Sequence, residues 1–279
     1  MAEPLPPKER AEHIRVEKLA KSFGNVKVLV DVDVSIRRGD VAVVIGGSGA
    51  GKTTLLKILI GLDRPSSGSI FVDGVDITKL PERELNQVRR KFGMVFQYSA
   101  LLDSMDVLDN VAFPLREHTK LREREIRDRV REKLSVLGLE NIESRYPSEL
   151  SGGMRKRVGL ARALMLEPDV ILYDEPTSGL DPITARMVDD LIVETRARFG
   201  VTSIVISHDM AGALRIADQI VLLAKGKVVA SGAPRDLVGG DNELLAEFLE
   251  SSGIAADRLL AQRLSSADAP NPGYAARRP

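Results

Sequence analysis

The stretch from Val41 to Thr53 constrains this chain more than any other. Val41-Ala42-Val43-Val44-Ile45 is unbroken apolar sequence, the pattern of a strand covered on both faces. It runs directly into Gly46-Gly47-Ser48-Gly49-Ala50-Gly51-Lys52-Thr53, which fills the spacing G-x-x-x-x-G-K-[ST]. Thr53 to Ile60 then reads as a helix, ended near Gly61. Strand, glycine loop and helix, in that order, form the context this motif needs. Backbone N–H groups can then surround phosphate oxygens, with the positive end of a helix behind them. Side chains would block that approach, hence the glycines. Gly46, Gly47, Ser48, Gly49, Ala50, Gly51, Lys52 and Thr53, with Thr54 next in line, are the expected cofactor-binding segment. Lys52 should reach the β- and γ-phosphates of a nucleoside triphosphate, and the Thr53 hydroxyl should bind Mg²⁺.

The rest of the chain fits an α/β architecture around that unit. Val30, Val32, Val34 and Ile36 alternate with Asp31, Asp33 and Ser35, as in a half-buried antiparallel strand. Ser69–Val72 predicts a short strand, Pro81–Arg90 a polar helix, and Phe92–Phe96 a strand ending at Gln97. Residues 98–150 change character. They are charged and helical in pattern, and Ile126, Val130, Leu134 and Leu137 make one apolar stripe. This reads as a helical lobe inserted into a sheet domain. Apolar strands then return at Val170–Tyr173, Ser203–Ile206 and Ile220–Leu223, separated by helices near 152–166, 182–199 and 209–217. Such alternation implies a largely parallel sheet.

Composition narrows the function classes. Lys plus Arg and Asp plus Glu both number 40, which gives no case for a nucleic-acid partner. There are no cysteines, so disulfides and cysteine-based metal or catalytic sites are excluded. No segment approaches the roughly 18 consecutive apolar residues of a membrane span, and the first residues carry no secretory h-region. If the protein works at a membrane, other chains are expected to cross it.

Two further segments carry chemistry. Asp174 and Glu175 close the strand Val170–Tyr173, and ligands of open parallel sheets bind at strand ends. Asp174 suits Mg²⁺ coordination, and Glu175 suits polarisation of an attacking water. In Leu150-Ser151-Gly152-Gly153-Met154, Ser151 can cap the following helix while Gly152 and Gly153 expose backbone N–H groups, making a second phosphate site.

Together these motifs resemble the ATP-binding subunit of ABC transporters over about residues 14–250. The resemblance implies a P-loop, RecA-like core, an antiparallel β subdomain and an inserted helical subdomain at about 98–160. It places the ATPase domain at 13–251, between a flexible arm at 1–12 and a partly disordered tail at 252–279. It implies ATP and Mg²⁺ as cofactors and a homodimer with two ATPs at its interface, Ser151, Gly152 and Gly153 addressing the partner's ATP. Gln97 matches the Q-loop residue that contacts Mg²⁺ and the reaction centre. His208 matches the switch histidine, Ser178-Gly179-Leu180-Asp181 the D-loop, and Phe23 the adenine-stacking aromatic. The catalytic set so implied is Glu175, His208, Gln97 and Lys52; the metal set is Thr53, Gln97 and Asp174.

Met154 stands where most of the family has Gln. The form Ser-Gly-Gly-Met is typical of the Mla-type ATPases of MCE phospholipid transporters, and Phe96–Leu102, Met105–Thr119 and Asp181–Thr184 also look like that branch. That resemblance implies an integral-membrane permease, an MCE-domain protein, a STAS-domain subunit in many systems, and phospholipid as indirect cargo. It also implies residence at the cytoplasmic face of the inner membrane. Tyr98, Leu101, Leu102 and Val107 are candidates to line a groove for a permease helix, and Leu259, Leu260 and Leu264 for a contact with the partner ATPase. The alternatives are an ATPase for amino acids, lipoproteins or drug efflux, a non-transport ABC protein, or a catalytically dead binding module. The single cassette and the intact Lys52 and Glu175 speak against the last two.

Overall fold

Alternation builds the first of two sheets. β1 (Glu12–Phe23) and β2 (Val26–Arg37) form a long antiparallel hairpin in which Ile14 pairs with Ile36 and Val16 with Val34. Val32, Val34 and Ile36 are buried while Asp31, Asp33 and Ser35 face solvent, as their alternation predicts. β4 (Ser67–Val72) and β5 (Val75–Asp76) complete the order β2-β1-β4-β5. The pattern of residues did not delimit β1. Its register against β2 slips at several places and Lys18 takes φ +43°, so its period of two is broken.

The second sheet holds β3 (Val41–Ile45), β6 (Phe92–Val95), β7 (Val170–Asp174), β8 (Thr202–Ser207), β9 (Gln219–Ala224) and β10 (Lys227–Gly232). Its order is β10-β9-β3-β8-β7-β6, and every neighbouring pair is parallel except the β9–β10 hairpin. The helices are α1 (Lys52–Leu59), α2 (Glu82–Arg89), α3 (Val107–His118), α4 (Glu123–Val136), α5 (Gly152–Ala163), α6 (Pro182–Phe199), α7 (Met210–Ile216) and α8 (Pro234–Val238). The helix expected near 152–166 thus ends at Ala163. This computed structural model describes residues 11–97, 99–238 and 249. The tail and residues 1–10 lie outside them; the last two residues of the expected arm are in place, the Ala11 carbonyl accepting from the Arg38 amide and Glu12 of β1 pairing with Arg37 of β2.

Two apolar clusters sandwich the parallel sheet. Val41, Val43 and Ile45 of β3 face one cluster with α3, α4 and α5; Ala42 and Val44 face the other with α1 and the first sheet. A fully buried Val or Ile contributes about 1.5–3 kcal/mol, so β3 has no position for a polar residue. The stripe Ile126, Val130, Leu134 and Leu137 is buried in the first cluster. The chain leaves the sheet at β6 and returns at its neighbour β7, and α3, α4 and α5 all lie in that one connection. None of the described helices is long and apolar enough to cross a membrane.

Candidate nucleotide site

Four consecutive strands, β3, β8, β7 and β6, run parallel and deliver four segments to one edge of the sheet. In that order they are the Gly46–Thr53 loop, His208, Asp174–Glu175 and Gln97. This is the edge where parallel sheets bind ligands.

Sterics explain two glycines of the loop, Gly46 and Gly51. A Cβ on Gly46 would stand 2.2 Å from the Leu223 carbonyl oxygen of β9. Gly51 takes φ +101°, and a Cβ there would stand 2.7 Å from the Leu29 side chain and 2.9 Å from the Val28 oxygen. β2 is therefore in contact with the base of the loop. Ser48 and Thr53 are exposed, Thr54 is half-buried, and Ala50 is buried under the loop. The buried Lys52 donates to the carbonyls of Gly46 at 2.7 Å and Gly47 at 3.2 Å.

Side chains from three strand ends then meet. Lys52 Nζ lies 3.6 Å from Glu175 Oε1, and His208 Nδ1 lies 2.7 Å from Glu175 Oε2. The Glu175 backbone takes φ +48° while its amide donates to the Ile206 carbonyl of β8 at 2.9 Å. Gln97 Nε2 donates to Ser178 Oγ at 3.1 Å, and the Ser178 amide donates to the Glu175 carbonyl at 3.2 Å. Burial, and then the charge of Glu175, push the Asp174 carboxyl above its ordinary range, against the pull of Lys52 and Lys57. A divalent cation reverses that penalty, and the hydroxyl of Thr53 with the carboxylate of Asp174 offers the hard oxygen donors that Mg²⁺ prefers.

Ser151, Gly152 and Gly153 stand apart on the helical lobe. Ser151 caps α5, its Oγ accepting from the Met154 amide at 3.3 Å. A Cβ on Gly152 or Gly153 would meet nothing within 4 Å, so this helix end opens outward. No hydrogen bond or ion pair among the described residues joins it to Lys52, Glu175 or His208. Phe23 ends β1 with 53% of its surface exposed, and Lys21 Nζ sits 4.8 Å from its ring centroid. Asp181 caps α6, its carboxylate accepting from the Thr184 hydroxyl and from the Ile183 and Thr184 amides; these bonds hold it below the usual carboxylate range.

Sequence reasoning missed the residues that hold the segment after β6. Lys156 donates to the Gln97 carbonyl, and Arg162 donates to those of Ser99 and Ala100, both at 2.8 Å. The buried Asn110 accepts from the Leu102 amide at 2.8 Å and donates to the carbonyls of Leu102, Met105 and Asp106 at 3.0 Å. None has a local signal, because each bond goes to backbone. Beside this segment lies a groove of about 760 Å³ lined by Met94, Phe96, Leu102, Phe113, Arg90 and Arg162. Leu102 is exposed there, as a lining residue should be, whereas Leu101 packs on the core and Val107 is fully buried within it. Val107 is therefore a core residue of α3, not part of a docking surface. Tyr98 lies outside the described residues.

A family model described as "ABC transporter" matches residues 29–178. The chain belongs to the ABC transporter family. Curated relatives agree along most of its length. It is 45% identical over 241 residues to the "Probable ribonucleotide transport ATP-binding protein mkl" of Mycobacterium tuberculosis, covering 86% of this chain and 67% of that one. It is 42% identical over 242 residues to the "Intermembrane phospholipid transport system ATP-binding protein MlaF" of Haemophilus influenzae, covering 86% and 92%. Among solved structures, a dimeric post-hydrolysis state of the ATP-binding cassette MJ0796 with ADP and Pi matches with TM-score 0.70 and 32% identity, over 79% of this chain and 98% of that one. The structure of cbiO1 from Clostridium perfringens, part of the ABC transporter complex cbiONQ, matches with TM-score 0.77 and 30% identity, over 90% and 100%. The two sheets and the P-loop core are those of an ABC ATPase, the ATP-binding subunit of a transporter. Its Met154 side chain is half-buried and packs against the apolar cluster that α3, α4 and α5 share.

Proposed function

We propose that this ABC ATPase hydrolyses Mg²⁺-ATP to drive phospholipid transport across a bacterial envelope. The observation that carries the ATPase reading is the set of four adjacent strand ends, with Lys52, Glu175 and His208 in one chain of contacts. The loop amides and Lys52 hold the β- and γ-phosphates, as in other P-loop enzymes. Thr53 and Asp174 hold Mg²⁺, which neutralises phosphate charge when bound, and Gln97 completes its surroundings. Glu175 polarises the attacking water, and His208, already in hydrogen-bond reach of it, contacts the γ-phosphate end. Phe23 stacks on adenine beside the loop.

Ser151, Gly152 and Gly153 serve the ATP of a second copy, which their outward-facing position supports. The working unit is then a homodimer on a membrane permease, at the cytoplasmic face of the inner membrane, with an MCE-domain protein and, as in many such systems, a STAS-domain subunit. The groove beside Phe96 and Leu102 receives the permease. The phospholipid assignment rests on the MlaF match, which spans 92% of that relative.

Glu175→Gln tests the chemistry. ATP binding should persist while turnover falls by about 10²–10⁴, the span of a general-base contribution. Turnover near the wild-type rate removes Glu175 from its role. The mkl match names ribonucleotides instead, so cargo needs its own test. Lipid analysis of the complex purified with its permease should find phospholipid, and deleting the gene should perturb envelope lipid asymmetry. Loss of nucleotide uptake with a normal envelope favours the second cargo and leaves the ATPase reading in place.

A further inference from the structure

α5 carries three residues at three-residue spacing on one face: Lys156, Gly159 and Arg162. That face is laid against Gln97, Ser99 and Ala100. Lys156 is only 8% exposed, and its ammonium donates to the Gln97 carbonyl. Arg162 spans the carbonyls of Ser99 and Ala100 with two separate nitrogens. Between them, a Cβ on Gly159 would stand 3.2 Å from the Ser99 Cβ, so the helix and the loop are in direct contact. Ser99 and Ala100 both take left-handed backbone, φ +62° and +44°, a conformation that neither residue type prefers.

The chemistry of this contact is unusual. Neither cation has a carboxylate within ion-pair distance among the described residues, and burial pushes both below their ordinary ranges. A buried cation without a counter-charge is costly, and neutral donors would satisfy three carbonyls at less expense. What charge adds is stiffness, because charge-assisted hydrogen bonds are roughly twice as strong as neutral ones. α5 is also the helix whose first residues are Gly152 and Gly153, capped by Ser151. Lys156 stands about 7.5 Å along the axis from that cap, little more than one turn away.

We propose that Lys156 and Arg162 are positioning residues that lock Gln97, Ser99 and Ala100 onto α5, so that Gln97 and the Ser151 helix start move as one body. This rests on the reading of Gln97 and Ser151 as contacts to two different ATP molecules. Through the clamp, a change at one phosphate site is passed to the other along a single rigid helix. Arg162 and Ala100 also line the groove, so an occupant there leans on the same clamp.

The test uses the full-length chain and the variants Lys156→Met, Lys156→Gln and Arg162→Leu, with ATPase kinetics and amide hydrogen exchange with and without Mg²⁺-ATP. Lys156→Met should raise exchange in 96–102 about tenfold, the worth of one hydrogen bond from a charged group, and lower kcat similarly at unchanged KM. ATP protection of 46–54 should be retained. Lys156→Gln, which can still donate to the carbonyl, should return both readouts to within about threefold of wild type. Arg162→Leu should loosen 99–102 in the same way, and it decides the matter if Lys156→Met does not fold. The clamp is overturned if Lys156→Met and Arg162→Leu keep wild-type exchange in 96–102, or if Lys156→Gln is as impaired as Lys156→Met. Absence of ATP protection at 46–54 in the wild type would instead defeat the nucleotide site, while the exchange without ATP still judges the clamp.

Discussion

Two loops leave one edge of the parallel sheet, from β3 and from β6, and they are built in opposite ways. The loop after β3 is made of backbone. Gly46 lets the chain pass so close to the Leu223 oxygen that a Cβ there would stand 2.2 Å from it, and among the described residues the side chain that bonds to its carbonyls is its own Lys52. The loop after β6 is held by side chains from elsewhere. Lys156 and Arg162 reach it from α5 and Asn110 from α3, each bonding to its carbonyls. A loop of the first kind fails when an atom is added. A loop of the second kind fails when atoms are taken away.

Substitutions can break that contrast or sharpen it. The largest effect should come from Gly46→Ala, which forces the loop or β9 to move. A displacement near 1 Å at a phosphate site costs about 10²-fold in kcat/KM, read by ATPase assay with circular dichroism to confirm folding. Activity within a few-fold of wild type would show that the loop has slack its geometry denies. Asn110→Ala should act on stability instead. It strands several buried backbone groups, at about 3 kcal/mol and roughly a 10 °C loss in Tm, while nucleotide affinity stays put because the first loop is untouched. Equal losses in both properties would mean that the two loops are not independent. Met154→Gln should matter least: an amide placed against the half-buried edge of the helical lobe costs about 1 kcal/mol by thermal melting. A large drop in turnover from this change would reveal a role for Met154 beyond packing.

The same contrast decides how much could be read in advance. The β3 loop was legible because its cause is local: apolar strand, glycines, Lys52 and helix follow one another. Val170–Glu175 was legible for the same reason, and the alternation of Val30–Ile36 marked the buried face of β2 and its place in an antiparallel sheet. β1 was not delimited, since bulges and the left-handed Lys18 disrupt its period. The roles of Lys156, Arg162 and Asn110 were invisible because a carbonyl acceptor carries no residue identity. Two of those bonds also join positions 59 and 63 residues apart. Val107 shows the reverse error: an apolar residue near a functional segment was assigned to a surface, and the fold uses it in the core.

The order of strands around β3 has a consequence for the birth of the molecule. Val41 pairs with Ser203 on one side, and Ala42 with Gln219 on the other. The most apolar strand in the chain therefore leaves the ribosome with neither neighbour yet made. At about 5–20 residues per second, the wait for its first partner is on the order of 8–30 seconds. During that time Val41–Ile45 is an unpaired strand able to seek another chain, and parallel pairing across so long a separation is intrinsically slow. The central position that brings four segments of the candidate nucleotide site to one edge thus makes the newborn chain most vulnerable at that same place.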